Sequence, residues 1–247
     1  MKIAVISDIH GNMEAINAVM EDIEKQKCEK LFVLGDYAMA GPEPKEAIGY
    51  FRSKSNDLNV EMIQGNTDLM IANYTDELYN SLKEKAPVMS EALKDDVSIL
   101  NEQEKQFLKE LPSQKEVIIN GVKFLLVHGS PRRNNEDILP DMPIEKVEEI
   151  VKDTDADVIL CGHTHLPCGY QTTKKQTVVN AGSIGRPFTP EPKSCYLTIS
   201  IENGNCVFEH HFIEYKKELA SEKMKKRTFV GAEKLAKMLL NPKERHF

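Results

Sequence analysis

No apolar run in this sequence approaches the roughly 18 residues that a membrane-spanning helix needs, so the chain is not expected to enter a membrane. Positive charge is also short. Lys and Arg number 32 against 39 Asp and Glu, a net charge of −7, which disfavours a nucleic-acid binder working through a broad basic surface. Cysteine is sparse and odd in number: Cys28, Cys161, Cys168, Cys195 and Cys206. Five thiols spread over 247 residues read as free cysteines of a cytoplasmic protein, not as a disulfide framework. Cys161 and Cys195 sit in apolar, strand-like runs and read as small buried hydrophobes. Met1–Ile6 carries one lysine and a very short apolar stretch, the mark of a strand and not of a secretory signal.

Several catalytic signatures are missing too. There is no Gly-x-x-x-x-Gly-Lys phosphate loop, and Gly11 to Ala15 is not a dinucleotide fingerprint. His128-Gly129-Ser130-Pro131 lacks the Gly-x-Ser-x-Gly elbow of serine hydrolases. The stretch Cys161 to Cys168 lacks the paired Cys-x-x-Cys spacing of a structural zinc site. Internal repeats and low-complexity segments are absent.

What remains is an ordinary globular composition, 40% hydrophobic and 29% charged, in a chain long enough for one large α/β domain with an appendage. The first half alternates strand and helix: Lys2–Ser7, a helix over Met13–Lys27, Lys30–Leu34, a helix over Pro44–Ser53, then Val60–Gln64. Ile16, Val19, Met20 and Ile23 share one helical face. This βαβαβ order predicts a mainly parallel sheet. Asp68 to Pro112 is polar and helix-favouring, interrupted by Pro87, and reads as two to four short helices covering one end of the sheet. Asn101 with Glu104 marks a helix start. Strands then return: Glu116–Asn120 and Val122–Val127 flank the hairpin signal Asn120-Gly121. A helix over Ile144–Lys152 leads to the buried strand Val158–Cys161. Gly169–Thr173, Gln176–Asn180, Ser194–Ile201 and Cys206–Tyr215 read as antiparallel strands, the last two joined at Asn203-Gly204. Two sheets are expected.

Residues 1–215 thus form one domain with a helical, cap-like insertion at about 68–112, and residues 216–247 form a basic helical tail. The tail holds ten Lys and Arg against four Glu, a net +6 that leaves −13 on the rest. Leu235, Met238 and Leu239 give it a narrow apolar stripe, expected to pack on its own acidic domain, with contact to a partner, a second subunit or a polyanion as the alternative.

One pattern dominates. Five apolar runs each end in residues able to bind metal: Asp8 and His10, Asp36, Asn66, His128, and His163 with His165. In an open α/β sheet the parallel strands present their carboxyl ends along one edge, where ligands bind. The members of the pairs Asp8/His10 and His163/His165 are two residues apart, and in extended chain such residues project to the same side. Glycines 11, 35, 65, 129 and 162 flank these positions and permit sharp turns after a strand. Mixed imidazole and carboxylate donors suit Mn, Fe, Ni or Zn. Seven donors exceed one tetrahedral site and fit two metals sharing a carboxylate, the arrangement that clamps both oxygens of an in-line phosphoryl displacement. His210, His211 and His246 read as structural.

These residues resemble a known family. Asp8-x-His10, Gly35-Asp36, Gly65-Asn66, His128-Gly129 and Gly162-His163-Thr164-His165 look like the five motifs of calcineurin-like metallophosphoesterases, in the same order. Length and the opening Ser7-Asp8-Ile9-His10-Gly11-Asn12 are most similar to the compact bacterial and archaeal phosphodiesterase branch. The resemblance implies a four-layer α/β/β/α sandwich with two mixed β-sheets and two divalent transition metal ions at the sheet edge. One ion would take Asp8, His10, Asp36 and His165; the other Asp36, Asn66, His128 and His163, with Asp36 bridging. The loop Val179 to Gly185 is similar to one near the site in that branch, which marks Ser183 and Arg186 as phosphate contacts.

One departure matters. Many members carry a proton-donating His directly after the Gly-Asn pair; here that position is Thr67, which has no pKa near neutrality. Asp68 follows and is placed to orient a ligand or water. The expected activity is hydrolysis of small phosphoesters, nucleotide-derived diesters before monoesters, by a metal-bridging hydroxide, with Asn66 on the non-bridging oxygens. A catalytically weak scaffold on the same fold is the alternative, although such a protein would be expected to lose ligands and this chain keeps all seven.

Overall fold

The computed structural model describes residues 1–202 and 204–242. Its first strand, Lys2–Ile6 (β1), buries both faces: Ile3 and Val5 enter one core, Ala4 and Ile6 the opposite one. Successive strand side chains point to opposite faces, so a strand covered on both sides reads as a continuous apolar run. The helix Met13–Lys25 (α1) follows. The Asn12 side chain accepts from the Ala15 amide at 3.2 Å to start it, and Ala15, Ile16, Val19 and Ile23 form its buried face. Lys30–Val33 (β2), the helix Pro44–Ser53 (α2) and Val60–Met62 (β3) complete a parallel β1-β2-β3 unit.

Four helices come next: Asn66–Ala72 (α3), Asp76–Lys85 (α4), Pro87–Ile99 (α5) and Glu102–Glu110 (α6). Pro87 opens α5 instead of breaking a helix, because the first helical position needs no amide proton. Asn101 and Glu104 cap α6 reciprocally, at 2.9 and 2.8 Å. The hairpin Gln114–Ile119 (β4) and Val122–Val127 (β5) turns on Asn120 and Gly121, both at positive φ, as the tight primed turn requires. Ile144–Val151 (α7), Val158–Cys161 (β6), Cys168–Gln171 (β7), Thr177–Asn180 (β8), Ser194–Glu202 (β9) and Asn205–Ile213 (β10) follow.

The two sheets run β10-β9-β1-β2-β3 and β4-β5-β6-β8-β7, and both are mixed. The expectation of purely antiparallel late strands needs correction. β8 is antiparallel to β7 but parallel to β6, because the chain crosses back before entering it. That direction delivers the loop after Asn180 to the same edge as the other strand ends. Ile3, Val5, Phe32 and Leu34 meet Phe124, Leu126, Leu160 and Val179 between the sheets. α1 and α2 cover one outer face and α7 the other, giving the four-layer α/β/β/α sandwich. Fully burying each such Ile, Val, Leu or Phe contributes about 1.5–3 kcal/mol.

The tail forms two helices, Lys217–Lys225 (α8) and Ala232–Leu240 (α9). Ala220, Met224, Leu235, Ala236 and Leu239 pack on Ala15 and Ala92, so the apolar stripe faces this chain's own domain. Lys223 pairs with Glu14 and Glu43 at 2.7 and 2.9 Å. All five cysteines are free, Cys161 and Cys195 buried. Among the described residues no helix is long and apolar enough to cross a membrane. Asn203, one half of the expected second turn, and His246 lie outside the described residues.

Candidate metal centre and active-site cleft

Each strand of the two parallel units ends at the same edge, and the turns that follow carry the seven residues. Asp8 and His10 follow β1, Asp36 follows β2, Asn66 follows β3, His128 follows β5, and His163 and His165 follow β6. The i, i+2 pairs do not converge through extended chain, as their spacing had suggested. Asp8, His10, Asp36, His163 and His165 have φ of 54°, 45°, 56°, 67° and 60°. Left-handed backbone costs a non-glycine residue about 1–2 kcal/mol, and five such residues in one place mark strain held for a site. Space is equally tight. A Cβ at Gly162 would stand 1.9 Å from Ser7 Oγ and 2.6 Å from Asp8 Oδ2, and one at Gly65 would stand 2.1 Å from Asp36 Oδ1.

The donor atoms meet in one buried volume. Asp8 Oδ1 lies 3.2 Å from His165 Nε2, 3.9 Å from His128 Nε2 and 4.0 Å from His10 Nε2. Asp36 Oδ2 lies 3.4 Å from His128 Nε2 and 3.8 Å from His10 Nε2. Asn66 Oδ1 is 3.0 Å from His128 Nε2. Two groups result, Asp8 with His10 and His165, and Asp8 with Asp36 and His128. Asp8 is thus shared as fully as Asp36, the carboxylate expected to bridge. His163 stands at the rim, its ring 5.4 Å from that of His128 and its Nε2 3.5 Å from Asp137.

These residues fit metal ions. His10, His128 and His165 direct Nδ1 at the carbonyls of Met39, Leu34 and Arg186, at 2.8, 2.7 and 2.5 Å. A carbonyl only accepts, so each Nδ1 carries a proton and each ring turns its Nε2 inward, the atom that a neutral histidine in this tautomer offers a metal. His10 Nε2 and His165 Nε2 stand 3.2 Å apart. Asp8 Oδ1 is buried and has no hydrogen-bond partner. Lone pairs crowded together in a dry volume are unfavourable unless a cation sits among them.

The electrostatics agree. Burial alone would raise the Asp8 carboxyl, but His165 and His128 bring it down to about 2. Asp36 is likewise held well below the usual carboxylate range by His128 and His10, against its burial. Burial opposes a charge on His128, yet Asp36 and Asp8 raise it to about 10, so a proton stands in for a cation there. Burial and neighbouring His165 push His10 down to about 4.

Asp68 does not face a substrate. It is fully buried, and its carboxylate accepts from the amides of Asp36, Gly65 and Tyr37 at 2.8, 2.8 and 2.9 Å, locking the turn that carries Asp36. The Thr67 hydroxyl donates to the Ala38 carbonyl at 3.2 Å. Ser183 is also turned away from the cleft; its hydroxyl donates to the Asp8 carbonyl and accepts from the Arg186 amide. Arg186 does line the cleft. Burial lowers its pKa to about 10, and among the described residues it makes no ion pair. His210 bonds the Asn180 carbonyl and His211 bonds Thr198, both remote from the centre.

The cleft over the centre has a volume of about 410 Å³. Met39, Met70, Leu82, Met89 and Phe188 form an apolar wall, much of it supplied by α3, α4 and α5. Phe188 stacks on His165 at 4.6 Å. Sequence reasoning missed Phe188, although it lies two residues beyond Arg186 in the same loop. It also missed Asn135 and Asp137, which sit in a loop without periodicity and gave no signal. A larger depression of about 720 Å³ beside α6 holds no histidine or aspartate.

A sequence model of the calcineurin-like phosphoesterase superfamily domain matches residues 1–204. The chain belongs to this superfamily. An uncharacterized protein of Methanocaldococcus jannaschii is 29% identical to this phosphoesterase-superfamily chain over 241 residues, 91% of this chain and 92% of that one. The crystal structure of a hypothetical protein from Pyrococcus horikoshii superposes with a TM-score of 0.86 at 26% identity, covering 98% of each chain. That of a metallophosphoesterase from Sphaerobacter thermophilus gives 0.78 at 22% identity, covering 98% of this chain and 100% of the other, and so shares the fold. Candidate ligand groups for divalent metals lie where the superfamily motifs converge.

Proposed function

We propose that this chain is a metal-dependent phosphodiesterase using two divalent transition metal ions, Mn, Fe, Ni or Zn. The observation that carries the reading is the inward array of three Nε2 atoms, each ring anchored through Nδ1 to a carbonyl, around the Asp8 and Asp36 carboxylates. Metal ions held there polarise a phosphoryl oxygen and acidify water. Asn66 and Arg186 line the cleft and offer N–H donors to the non-bridging oxygens, where charge builds in the transition state.

Two features favour diesters. Thr67 stands where many relatives have a proton donor, and its hydroxyl proton is committed to Ala38, so the leaving alcohol must depart without a proton from that position. The methionine, leucine and phenylalanine wall offers apolar surface for the second organic group that a diester carries on phosphorus and a monoester lacks.

Elemental analysis with a panel of aryl phosphodiesters and monoesters tests this. We expect two metal equivalents per chain, manganese-stimulated turnover, and higher kcat/KM on diesters. Asp36→Asn should abolish turnover; activity unchanged by that substitution would refute the assignment, and a preference for monoesters would refute its diester part.

A further inference from the structure

The tail helices lie beyond the matched superfamily domain, which ends at residue 204, yet they reach the metal centre through a continuous chain of polar contacts. The segment between α8 and α9 turns Arg227 inward, leaving its side chain 10% exposed. Its Nε and Nη2 donate to Asp95 Oδ2 at 2.9 and 2.5 Å, and Nη2 also donates to Asp96 Oδ1 at 2.6 Å. Its Nη1 donates to the Gly41 carbonyl at 2.8 Å. Asp96 is fully buried in α5, and its other oxygen accepts from the Met39 amide at 2.7 Å. The Met39 carbonyl then receives His10 Nδ1 at 2.8 Å.

The loop so gripped is strained. Asp36, Met39 and Ala40 have φ of 56°, 72° and 63°. It is also pressed against the ligand: a Cβ on Gly41 would stand 1.4 Å from the His10 carbonyl oxygen. Left-handed residues persist only where surrounding structure over-determines them. Asp68 holds the amides of Asp36 and Tyr37, at the loop's start. Met39 and Gly41, at its far end, are held by Asp96 and Arg227.

We propose that Arg227 and Asp96 are positioning residues for the metal centre. Together they fix the Met39 carbonyl, which sets His10 in its Nδ1–H tautomer and aims its Nε2 at Asp8 and His165. The C-terminal helical hairpin is thus a working part of the site, clamped onto the loop after β2. This inference rests on the metal-centre reading above. Its chemistry is that of a carboxylate orienting a metal-bound histidine, here relayed through the two peptide groups that flank the Met39 Cα.

The test compares full-length wild type with Arg227→Met and Arg227→Lys. Three readouts are taken: ¹⁵N NMR of the histidine rings in metal-free protein, calorimetric titration with Mn²⁺, and thermal melting. We expect Arg227→Met to melt cooperatively, to lose the single Nδ1–H tautomer of His10, and to bind one Mn²⁺ about 10- to 100-fold more weakly. Arg227→Lys should recover part of both losses. A wild-type His10 spectrum with wild-type Mn²⁺ affinity in Arg227→Met would overturn the proposal, even if that variant melted lower, because a purely structural brace would behave so. If Arg227→Met does not fold, Arg227→Lys decides alone. An ammonium lacks the planar fork whose Nε, Nη1 and Nη2 reach Asp95, Asp96 and Gly41, so unchanged affinity and tautomer there also overturn it. If wild type takes up no metal, the function proposed above fails, while the His10 spectra still decide the positioning claim.

Discussion

The Nε2 atoms of His10 and His165 stand 3.2 Å apart, although 155 residues of chain separate them. Each ring has committed its proton on the far side, to the carbonyls of Met39 and Arg186. The fold therefore brings two ring nitrogens together in a nearly dry volume, where the two residues are 2% and 5% exposed. In the metal-free protein that juxtaposition is unfavourable, and a cation relieves it.

Metal removal should accordingly destabilise the protein. A ligand present at one hundred times its dissociation constant stabilises by about 2.7 kcal/mol per site. For a chain of this size that corresponds to a rise in Tm of about 5–10 °C. Melting curves of chelator-stripped protein with and without Mn²⁺ measure it. A Tm indifferent to metal would mean that no ion relieves the repulsion.

His128 sets the pH dependence. Burial disfavours its charge, but Asp36 and Asp8 lift its pKa from 6.5 to about 10 in the metal-free fold. Because the folded pKa lies above the unfolded one, its contribution is fully present below pH 6.5 and is lost as pH rises towards 10. Metal-free wild type should thus lose stability across that window relative to His128→Asn, as read from urea midpoints. Metal binding at pH 8 should also release a proton, because the ligand must be neutral. Calorimetry in two buffers of different ionisation enthalpy detects it, and identical heats would contradict the prediction.

Gly162 marks a close approach between the sheets' loops. An added methyl would meet Ser7 Oγ at 1.9 Å and Asp8 Oδ2 at 2.6 Å, and both belong to the turn that holds Asp8. Overpacking of this kind costs about 1–3 kcal/mol. Gly162→Ala should fold with a lowered denaturation midpoint and bind Mn²⁺ more weakly, since Asp8 must move. Glycine at 169 is the control: nothing but the Val178 carbonyl lies near its added Cβ, at 4.0 Å. Gly169→Ala with a larger Mn²⁺ defect than Gly162→Ala would show that crowding at Asp8 is not the cause.

Much of this was legible in the residues. The capping pair Asn101 and Glu104, the turn Asn120-Gly121 and the doubly buried β1 are local features, decided by hydrogen bonds and side-chain alternation within a few residues. The metal-binding residue types at strand ends were equally visible, because parallel strands must finish on one edge. Asp96 left a trace as well. It lies three residues after Leu93 and four before Leu100, an acidic residue on a buried helical face, and such a carboxylate needs a partner.

Other features were not legible. The direction of β8 depends on where a long connection crosses, and spacing alone does not record that. Ser183 and Arg186 share one loop, yet one hydroxyl closes on the Asp8 carbonyl while the guanidinium reaches the cleft. That division follows from a turn geometry that neither residue specifies.

The sequence by itself determined which residues are available as ligands, the order of strands and helices, and the apolar faces that each buries. These follow from periodicity and residue chemistry, which act over short stretches of chain. Only the tertiary structure decided how the ligands meet. It set the left-handed turns, fixed each imidazole tautomer through a distant carbonyl, made Asp8 as central as Asp36, and carried Arg227 back onto the loop beside His10. Those outcomes depend on contacts between segments separated by up to 186 residues, and packing in three dimensions alone brings such partners within a few ångströms.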